Sequence, residues 1–258
     1  MKNNNIYAAG PDGRFRENRL IMADDADINY KWKLQSILAW MQELGDRHSR
    51  VLGYGFETLR EQNICWVVLR YHIKISSYPR LYETVSTTTW PEPSRLGIYP
   101  RMFLFEDESG ATKIHASSLW SLIDLDERSK TDLANQGLPA YPAQKIQNFD
   151  DLSPLAKIIV PEGETEIIKY SPVYSDFDMN GHVNNTNYLQ WFDDLFSLEE
   201  HGKHEVRDLL MQYNLEVRPD VELELKLIRN KEKLYFAVDS EAGNHFKMLA
   251  IISSCPSC

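Results

Sequence analysis

The sequence has few cysteines and no long apolar run. Three cysteines among 258 residues, an odd number, argue against a disulfide-stapled framework and favour a reducing compartment, for which we expect the cytoplasm. No apolar stretch approaches the roughly 20 residues of a membrane helix, so we expect no membrane association. The first residues, Met1 to Asn5, lack the apolar core of a signal peptide, and we therefore predict no export.

A surplus of basic residues is also missing. The formal net charge is −10, which argues against a nucleic-acid partner because phosphate binding needs a basic face. No glycine-rich phosphate loop is present, and the closely spaced Cys255 and Cys258 lack the second pair of ligands that zinc needs. The sequence therefore predicts no cofactor and no metal.

The composition is that of a globular protein with two halves. Hydrophobic residues make up 43% and charged residues 26%, and the length suggests two domains. Helical spacing of apolar residues predicts a helix from Ile28 to Leu44, with Asp27 as its N-cap and Gly45 at its end. Runs rich in β-branched and aromatic residues follow, separated by proline and glycine turns, and predict antiparallel strands.

The same order of elements returns later in the chain. A helix is predicted from Val183 to Glu200, followed by strands, and a polar linker is predicted from Ser129 to Ser153. The absence of strand–helix alternation makes the fold class α+β rather than α/β. We therefore predict a duplicated α+β unit, with domains at residues 1–145 and 146–258.

One short segment concentrates polar side chains. Asp178, Asn180 and His182 alternate, so that in an extended stretch their side chains would share one face beside the N-terminus of the second helix. A carboxylate, an amide and an imidazole together suit acyl transfer, which needs a base, a proton carrier and an oxyanion donor. The competing interpretation is that Asp and Asn simply build a turn and cap the helix.

The segment from Asp178 to Asn185 (DMNGHVNN) resembles the motif of the plant and bacterial acyl–acyl carrier protein thioesterases. Further blocks with the family's order are Tyr188 and Trp191 after the motif, and Trp66 to Arg70, Tyr78–Pro79, Thr89–Trp90 and Ala116 to Trp120 before it. The resemblance implies tandem hotdog domains, each a long helix packed on an antiparallel sheet. It also implies hydrolysis of a fatty acyl thioester, with an acyl carrier protein as partner and no cofactor.

The family's catalytic residues correspond to Asp178, Asn180, His182 and Glu216, in the second hotdog. The first hotdog would bind the acyl chain. Plant members place a cysteine after the glutamate, where this chain has Val217. The resemblance leaves open a covalent anhydride at Asp178 or direct attack by water.

Three other functions compete with this hypothesis: hydrolysis of acyl-coenzyme A, dehydration of a hydroxyacyl thioester, and acyl binding without catalysis. The oligomeric state, monomer or homodimer, stays open. Because residues 1–130 are balanced in charge whereas residues 131–258 carry 11 basic and 21 acidic residues, we expect an acidic carrier protein to dock on the first half. Plausible contacts are Lys74, Arg80, Arg95 and Arg101.

The cysteines provide a first testable prediction. Cys65 begins an apolar strand remote in sequence from the motif, and Cys255 and Cys258 lie at the chain end, so none is expected to be a nucleophile. A variant combining Cys65→Ala, Cys255→Ser and Cys258→Ser should keep most of its kcat, measured by release of free fatty acid. A folded variant without activity would contradict a mechanism based on carboxylates and imidazole.

Overall fold

The structure, a computed structural model, describes residues 10–143 and 152–254. Within these residues the helices are α1 (Leu34–Val51), α2 (Phe56–Glu61), α3 (Asn187–Asp193) and α4 (Leu198–Lys203). The strands of the first half are β1 (Phe15–Leu20), β2 (Ile64–Ile75), β3 (Thr84–Pro91), β4 (Ile98–Glu106), β5 (Thr112–Asp124) and β6 (Lys130–Thr131). Those of the second half are β7 (Thr165–Tyr170), β8 (His204–Tyr213), β9 (Leu223–Asn230), β10 (Lys233–Ser240) and β11 (Gly243–Ser254).

All these strands belong to one antiparallel sheet, in the order β1-β3-β4-β5-β2-β8-β11-β10-β9-β7, with β6 paired to β5. The order reads as one unit and its reversed copy, joined where β2 pairs with β8 from Arg70↔Gln212 to Lys74↔Asp208. The predicted α+β duplication is confirmed, and the architecture is that of tandem hotdogs. No helix of the described residues is long and apolar enough to cross a bilayer.

The first helix packs its apolar face on the sheet of its own half. Ile37, Leu38, Met41 and Leu44 are buried in a core cluster that extends into the second half. Burial of such side chains stabilises the fold by about 1.5–3 kcal/mol each. This buried apolar face holds α1 against the sheet.

The predicted bounds of the first helix are wrong at both ends. Asp27 is not its N-cap: the Asp27 carboxylate accepts hydrogen bonds from the N–H groups of Asn29 and Lys31, and Tyr30 has a left-handed φ of 60°. These bonds form a turn, and the helix begins only at Leu34. Gly45 lies inside the helix, because the roughly 1 kcal/mol cost of an interior glycine is small beside the packing that surrounds it.

The second helix is shorter than predicted. It begins at Asn187 instead of Val183 and ends at Asp193. Ser197 then forms a capping box with Glu200 and starts α4 as a separate helix. The apolar residues of the two short helices are in phase, so the sequence pattern predicted one continuous helix. Ser197, which lies between the two helices, has an extended backbone and ends this continuity.

Two short strands, β1 and β6, were not predicted, and the predicted linker is partly structured. Leu133 is buried within a satellite cluster, and Tyr141 packs against Tyr54 and Trp66. Residues 144–151 of this linker lie outside the described residues, as does the predicted domain boundary.

A buried ion pair connects the two halves. Lys31 Nζ lies 2.6 Å from Glu205 Oε1, and the two side chains are only 6% and 7% exposed. Glu205 also pairs with Arg207. Since Lys31 follows Asp27 in the first half and Glu205 belongs to β8, this pair fixes the first-half turn against the second half.

Loss of Lys31 should destabilise the protein. Lys31→Met leaves the Glu205 carboxylate buried without the ammonium that faces it, and we expect the free energy of unfolding to fall by about 3 kcal/mol. Lys169→Met, which removes an exposed pair with Glu222, is the control and should cost less than about 1 kcal/mol. Urea denaturation measures both. Equal losses would show that burial of the pair is energetically unimportant.

Candidate active site

Residues 178–182 form a compact turn between two bridged residues, Phe177 and Val183. Asp178 Oδ1 accepts the N–H of Asn180 at 2.8 Å and, more weakly, that of His182 at 3.3 Å. The Asp178 N–H donates to the carbonyl of His182 at 2.8 Å. Gly181 has a φ of 74°, which glycine adopts without strain. The predicted extended stretch is therefore wrong: the three polar residues are brought together by a turn.

The first half contains the same turn. Asp27 Oδ1 accepts the N–H groups of Asn29 and Lys31 at 2.8 and 2.9 Å, and the Asp27 N–H donates to the Lys31 carbonyl at 2.8 Å. The pattern Asp-x-Asn-x-Lys thus repeats Asp-x-Asn-x-His. The first-half turn lacks the histidine but makes the same hydrogen bonds. The bonds of the aspartate within the turn are therefore structural, and the difference between the two turns is the fifth residue.

What differs is the partner of the fifth residue. His182 Nε2 lies 3.2 Å from Glu216 Oε2, and the side chains are 24% and 46% exposed. The segment after β8 brings Glu216 here, held by a hydrogen bond from the Val183 N–H to the Val217 carbonyl at 3.0 Å. Arg128 lies 3.5 Å from the same carboxylate oxygen. Unlike the buried pair of Lys31 and Glu205, this pair is accessible.

A cavity of about 1020 Å³ opens at this pair, here called the main cavity. Its wall includes Cys65, Trp66 and Trp120 of the first half and Asn180, His182 and Glu216 of the second. Four residues predicted to be catalytic, Asp178 among them, thus line one cavity. They do not stand at a helix N-terminus, since α3 begins only at Asn187 and spans seven residues.

The main cavity also corrects the placement of Cys65. This thiol is remote in sequence from the motif, yet it shares the cavity with Glu216. Burial, and then the nearby charge of Glu216, raise the pKa of the Cys65 thiol. A raised pKa keeps the thiol protonated and makes it a poor nucleophile. Cys255 and Cys258 lie outside the described residues.

One buried aspartate beside the motif was not among the predicted site residues. Asp176 is 4% exposed and anchors the start of the turn. Its Oδ2 accepts from Tyr170 Oη at 2.8 Å, and its Oδ1 accepts from Asn187 Nδ2 at 3.1 Å and Trp191 Nε1 at 3.2 Å. The available signal in the sequence was the presence of two such donors, Tyr170 and Trp191, on either side of this aspartate.

Comparison with known proteins supplies the family. Two family models match, the acyl-ACP thioesterase N-terminal domain over residues 12–140 and the C-terminal domain over residues 160–251. The chain belongs to the acyl-ACP thioesterase family. Together the two matches cover most of its length, in the order of the two hotdogs.

Individual relatives of this thioesterase family are distant. A chloroplastic acyl-[acyl-carrier-protein] hydrolase of Cuphea viscosissima is 27% identical over 81% of this chain and 53% of its own length. A chloroplastic oleoyl-acyl carrier protein thioesterase of Arabidopsis thaliana is 26% identical over 80% of this chain and 61% of its own. The chain thus spans little more than half the length of these curated relatives.

Solved structures share the fold. A crystal structure of an acyl-ACP thioesterase from Bacteroides thetaiotaomicron is 22% identical, with a TM-score of 0.79 over 93% of this chain and 98% of that one. A 12:0-ACP thioesterase from Umbellularia californica is 21% identical, with the same TM-score over 94% and 98%. These similarities support the tandem hotdog architecture.

The expected carrier-protein contacts are partly corrected. Arg101 is only 5% exposed and therefore cannot serve a docking surface. Arg80 and Arg95 are exposed but do not line the main cavity. Exposed arginines that do line it are Arg60, Arg128 and Arg218.

Arg101 instead contacts a buried histidine. Arg101 NH1 donates to His48 Nδ1 at 3.1 Å. Because a guanidinium only donates, Nδ1 must accept, and the imidazole is neutral. Burial, and then the charge of Arg101, lower the pKa of His48 to about 3.

This lowered pKa predicts acid sensitivity. Between pH 6.5 and about 3 the unfolded histidine binds a proton that the folded one does not. The free energy of unfolding should therefore fall with decreasing pH, by up to about 1.4 kcal/mol per pH unit from this group. His48→Gln keeps an acceptor without titrating, so urea denaturation across this range should show a shallower acid slope. Identical slopes would contradict the burial of a neutral His48.

Proposed function

We propose that the protein hydrolyses a fatty acyl thioester carried by an acyl carrier protein and releases the free fatty acid. The carrying observation is the accessible His182–Glu216 pair, with its 3.2 Å contact, at a cavity of about 1020 Å³ that extends along β2 into the first half. Such a volume suits an acyl chain. Membership of the family and the names of the curated relatives support the same reaction.

The proposed chemistry follows from the contacts. With its Nε2–H donated to Glu216, the ring of His182 keeps the Nδ1 lone pair to receive a proton from water. Glu216 orients the ring and stabilises the imidazolium. Water oxygen then bonds to the thioester carbon, the C–S bond breaks, and the proton passes to the leaving sulfur. The products are a fatty acid and the carrier thiol.

Asn180 and Asp178 complete the site in this proposal. Asn180 is exposed at the turn, and within residues 10–143 and 152–254 its side-chain amide makes only a long 3.4 Å contact with Asp178 Oδ2. It is thus available as a donor to the oxyanion. Asp178 holds the turn through Oδ1, while Oδ2 is available to orient the attacking water or to attack directly.

The repeated turn provides a matched pair of variants. Asn retains the oxygen that accepts the turn's N–H groups but removes the charge, at Asp178 and at Asp27 alike. We expect Asp178→Asn and Glu216→Gln to lower kcat by about 10²-fold or more, and Asp27→Asn to stay near wild type. Free fatty acid released from acyl-carrier-protein thioesters is the readout. An enoyl product, unchanged substrate, or equal effects at both aspartates would overturn the proposal.

The acidic partner should meet basic residues at the mouth of the main cavity. Arg60 lines that cavity without touching Glu216, whereas Arg80 is exposed elsewhere in the first half. Arg60→Glu should therefore raise KM for carrier-protein thioesters several-fold while leaving KM for small thioesters nearly unchanged. Arg80→Glu is the matched control. A larger effect at Arg80, or equal effects of Arg60→Glu on both substrates, would refute this docking site.

Two further expectations remain proposals. We place the boundary between the hotdogs near residue 145, which is supported by family matches that end at residue 140 and resume at residue 160. A cytoplasmic location is likewise kept as a proposal, with three cysteines as its support, although the curated plant relatives are named as chloroplastic.

A further inference from the structure

A second, smaller cavity lies beside the main one in the first half. It measures about 100 Å³, and here it is called the small cavity. Gln42, Asp46, Trp66 and Trp120 line both cavities. An acyl chain that enters the main cavity from His182 and passes these side chains therefore arrives at the small cavity.

The small cavity has a buried cation in its wall. Arg101 is 5% exposed, and no carboxylate of the described residues lies within ion-pair distance of it. Its NH1 donates to His48 and to Thr89 Oγ1 at 3.1 and 3.2 Å, and its NH2 donates to Ser49 Oγ and Tyr141 Oη at 3.2 and 2.6 Å. All four partners are neutral, so the charge is solvated but not neutralised.

One hydroxyl hydrogen of this network lacks an acceptor among the described residues. Ser49 Oγ and Tyr141 Oη both accept from Arg101, and they lie 2.8 Å from each other. Only one of them can donate across that contact. The hydrogen of the other hydroxyl has no acceptor among the described residues, and both Ser49 and Tyr141 line the small cavity.

The remaining wall is mainly aromatic, with one carboxylate at its edge. Trp66, Tyr99 and Trp120 provide apolar surface for methylene groups. Asp46 belongs to the lining as well, but its carboxylate is paired with Arg50 Nε at 2.8 Å. The wall thus offers a cation, a spare hydroxyl hydrogen and the Gln42 amide beside aromatic surface, which is the complement of an acceptor oxygen on an apolar chain.

We propose that the small cavity is a subsite for an acceptor oxygen at the distal end of the acyl chain. The substrate class is an acyl thioester whose far end carries a hydroxyl, carbonyl or carboxylate oxygen. That oxygen accepts the spare hydroxyl hydrogen and lies near the guanidinium charge. A methyl-ended chain of equal length leaves the hydroxyl hydrogen and the guanidinium charge without an acceptor oxygen. The inference rests on the proposed thioester hydrolysis and specifies its substrate.

The experiment compares carrier-protein thioesters of graded length that end in a methyl, a hydroxyl or a carboxylate. At the length that reaches the small cavity, we expect kcat/KM for an oxygen-ended chain to exceed that of its methyl-ended counterpart by roughly tenfold, as one hydrogen bond to a charged network allows. The hydroxyl and carboxylate arms distinguish a neutral acceptor from an anionic one. Preference for methyl ends at every length would overturn the inference.

A double hydroxyl deletion localises the effect. Either single deletion frees the hydrogen of the remaining hydroxyl, whereas Ser49→Ala combined with Tyr141→Phe removes both donors. This double variant should reduce the oxygen-to-methyl ratio by several-fold while preserving turnover of methyl-ended chains. Tyr54→Phe is the matched control: the Tyr54 hydroxyl already donates to the Pro139 carbonyl at 2.9 Å, so the ratio should match wild type. Arg101→Met tests the charge if that variant folds. A ratio unaffected by the double variant contradicts the subsite.

Failure of the inference and failure of the proposed function give different results. Hydrolysis without preference for oxygen ends refutes the subsite alone. If no carrier-protein thioester is cleaved, the proposed function fails, and the subsite is then decided by calorimetry. Tighter binding of an ω-hydroxy fatty acid than of the methyl-ended acid, lost when Ser49→Ala and Tyr141→Phe are combined, supports it. Equal binding of the two acids refutes it.

Discussion

The pairing of β2 with β8 is the interaction on which the rest of this structure depends. Antiparallel hydrogen bonding from Arg70↔Gln212 to Lys74↔Asp208 makes one sheet of two hotdogs. A contact of 2.9 Å between His72 Nε2 and Asp208 Oδ1 adds to this seam. Because the start of β2 and the end of β8 are adjacent, Cys65 and Glu216 share a cavity although they belong to different halves.

The two copies of the aspartate turn differ in the residue that ends them and in the partner of that residue. Both halves use an aspartate to fold a turn, through the same pattern of backbone hydrogen bonds. In the first half the turn ends in Lys31, whose charge is buried against Glu205. In the second half it ends in His182, whose partner Glu216 is accessible. One copy thus connects the halves, and the other leaves the His182–Glu216 pair accessible at the main cavity.

The first hotdog buries the Arg101 side chain among neutral hydrogen-bond partners. The guanidinium lies against α1 at Gly45, where a Cβ would come within 3.4 Å of Arg101 Cδ. Burial, and then this charge, lower the pKa of His48, and the guanidinium donates to Ser49 Oγ and Tyr141 Oη. The first hotdog thus carries a buried charge with no carboxylate partner among the described residues, and the proposed oxygen subsite rests on this charge.

Local patterns in the sequence determined the element types and the location of the site. The predicted antiparallel strands are present in the structure, β5 (Thr112–Asp124) among them, because β-branched and aromatic residues favour a pleated, half-buried surface. The segment from Asp178 to His182 was located by its composition and by its resemblance to a family. The duplicated order of elements was also visible without coordinates, since each unit contains its own helix and strands.

Tertiary structure decided the helix bounds, the partners and the accessibility of each charge. The first helix starts late because Asp27 hydrogen-bonds within a turn, a choice that helical periodicity does not encode. Arg101 looks like a surface residue until its partners on α1 and Tyr141 enclose it. The meeting of His182 with Glu216, and of both with Cys65, requires β2 and β8 to pair. Periodicity reports contacts between near neighbours along the chain, whereas pairing between distant strands and the burial of a charge depend on which surfaces fold against each other.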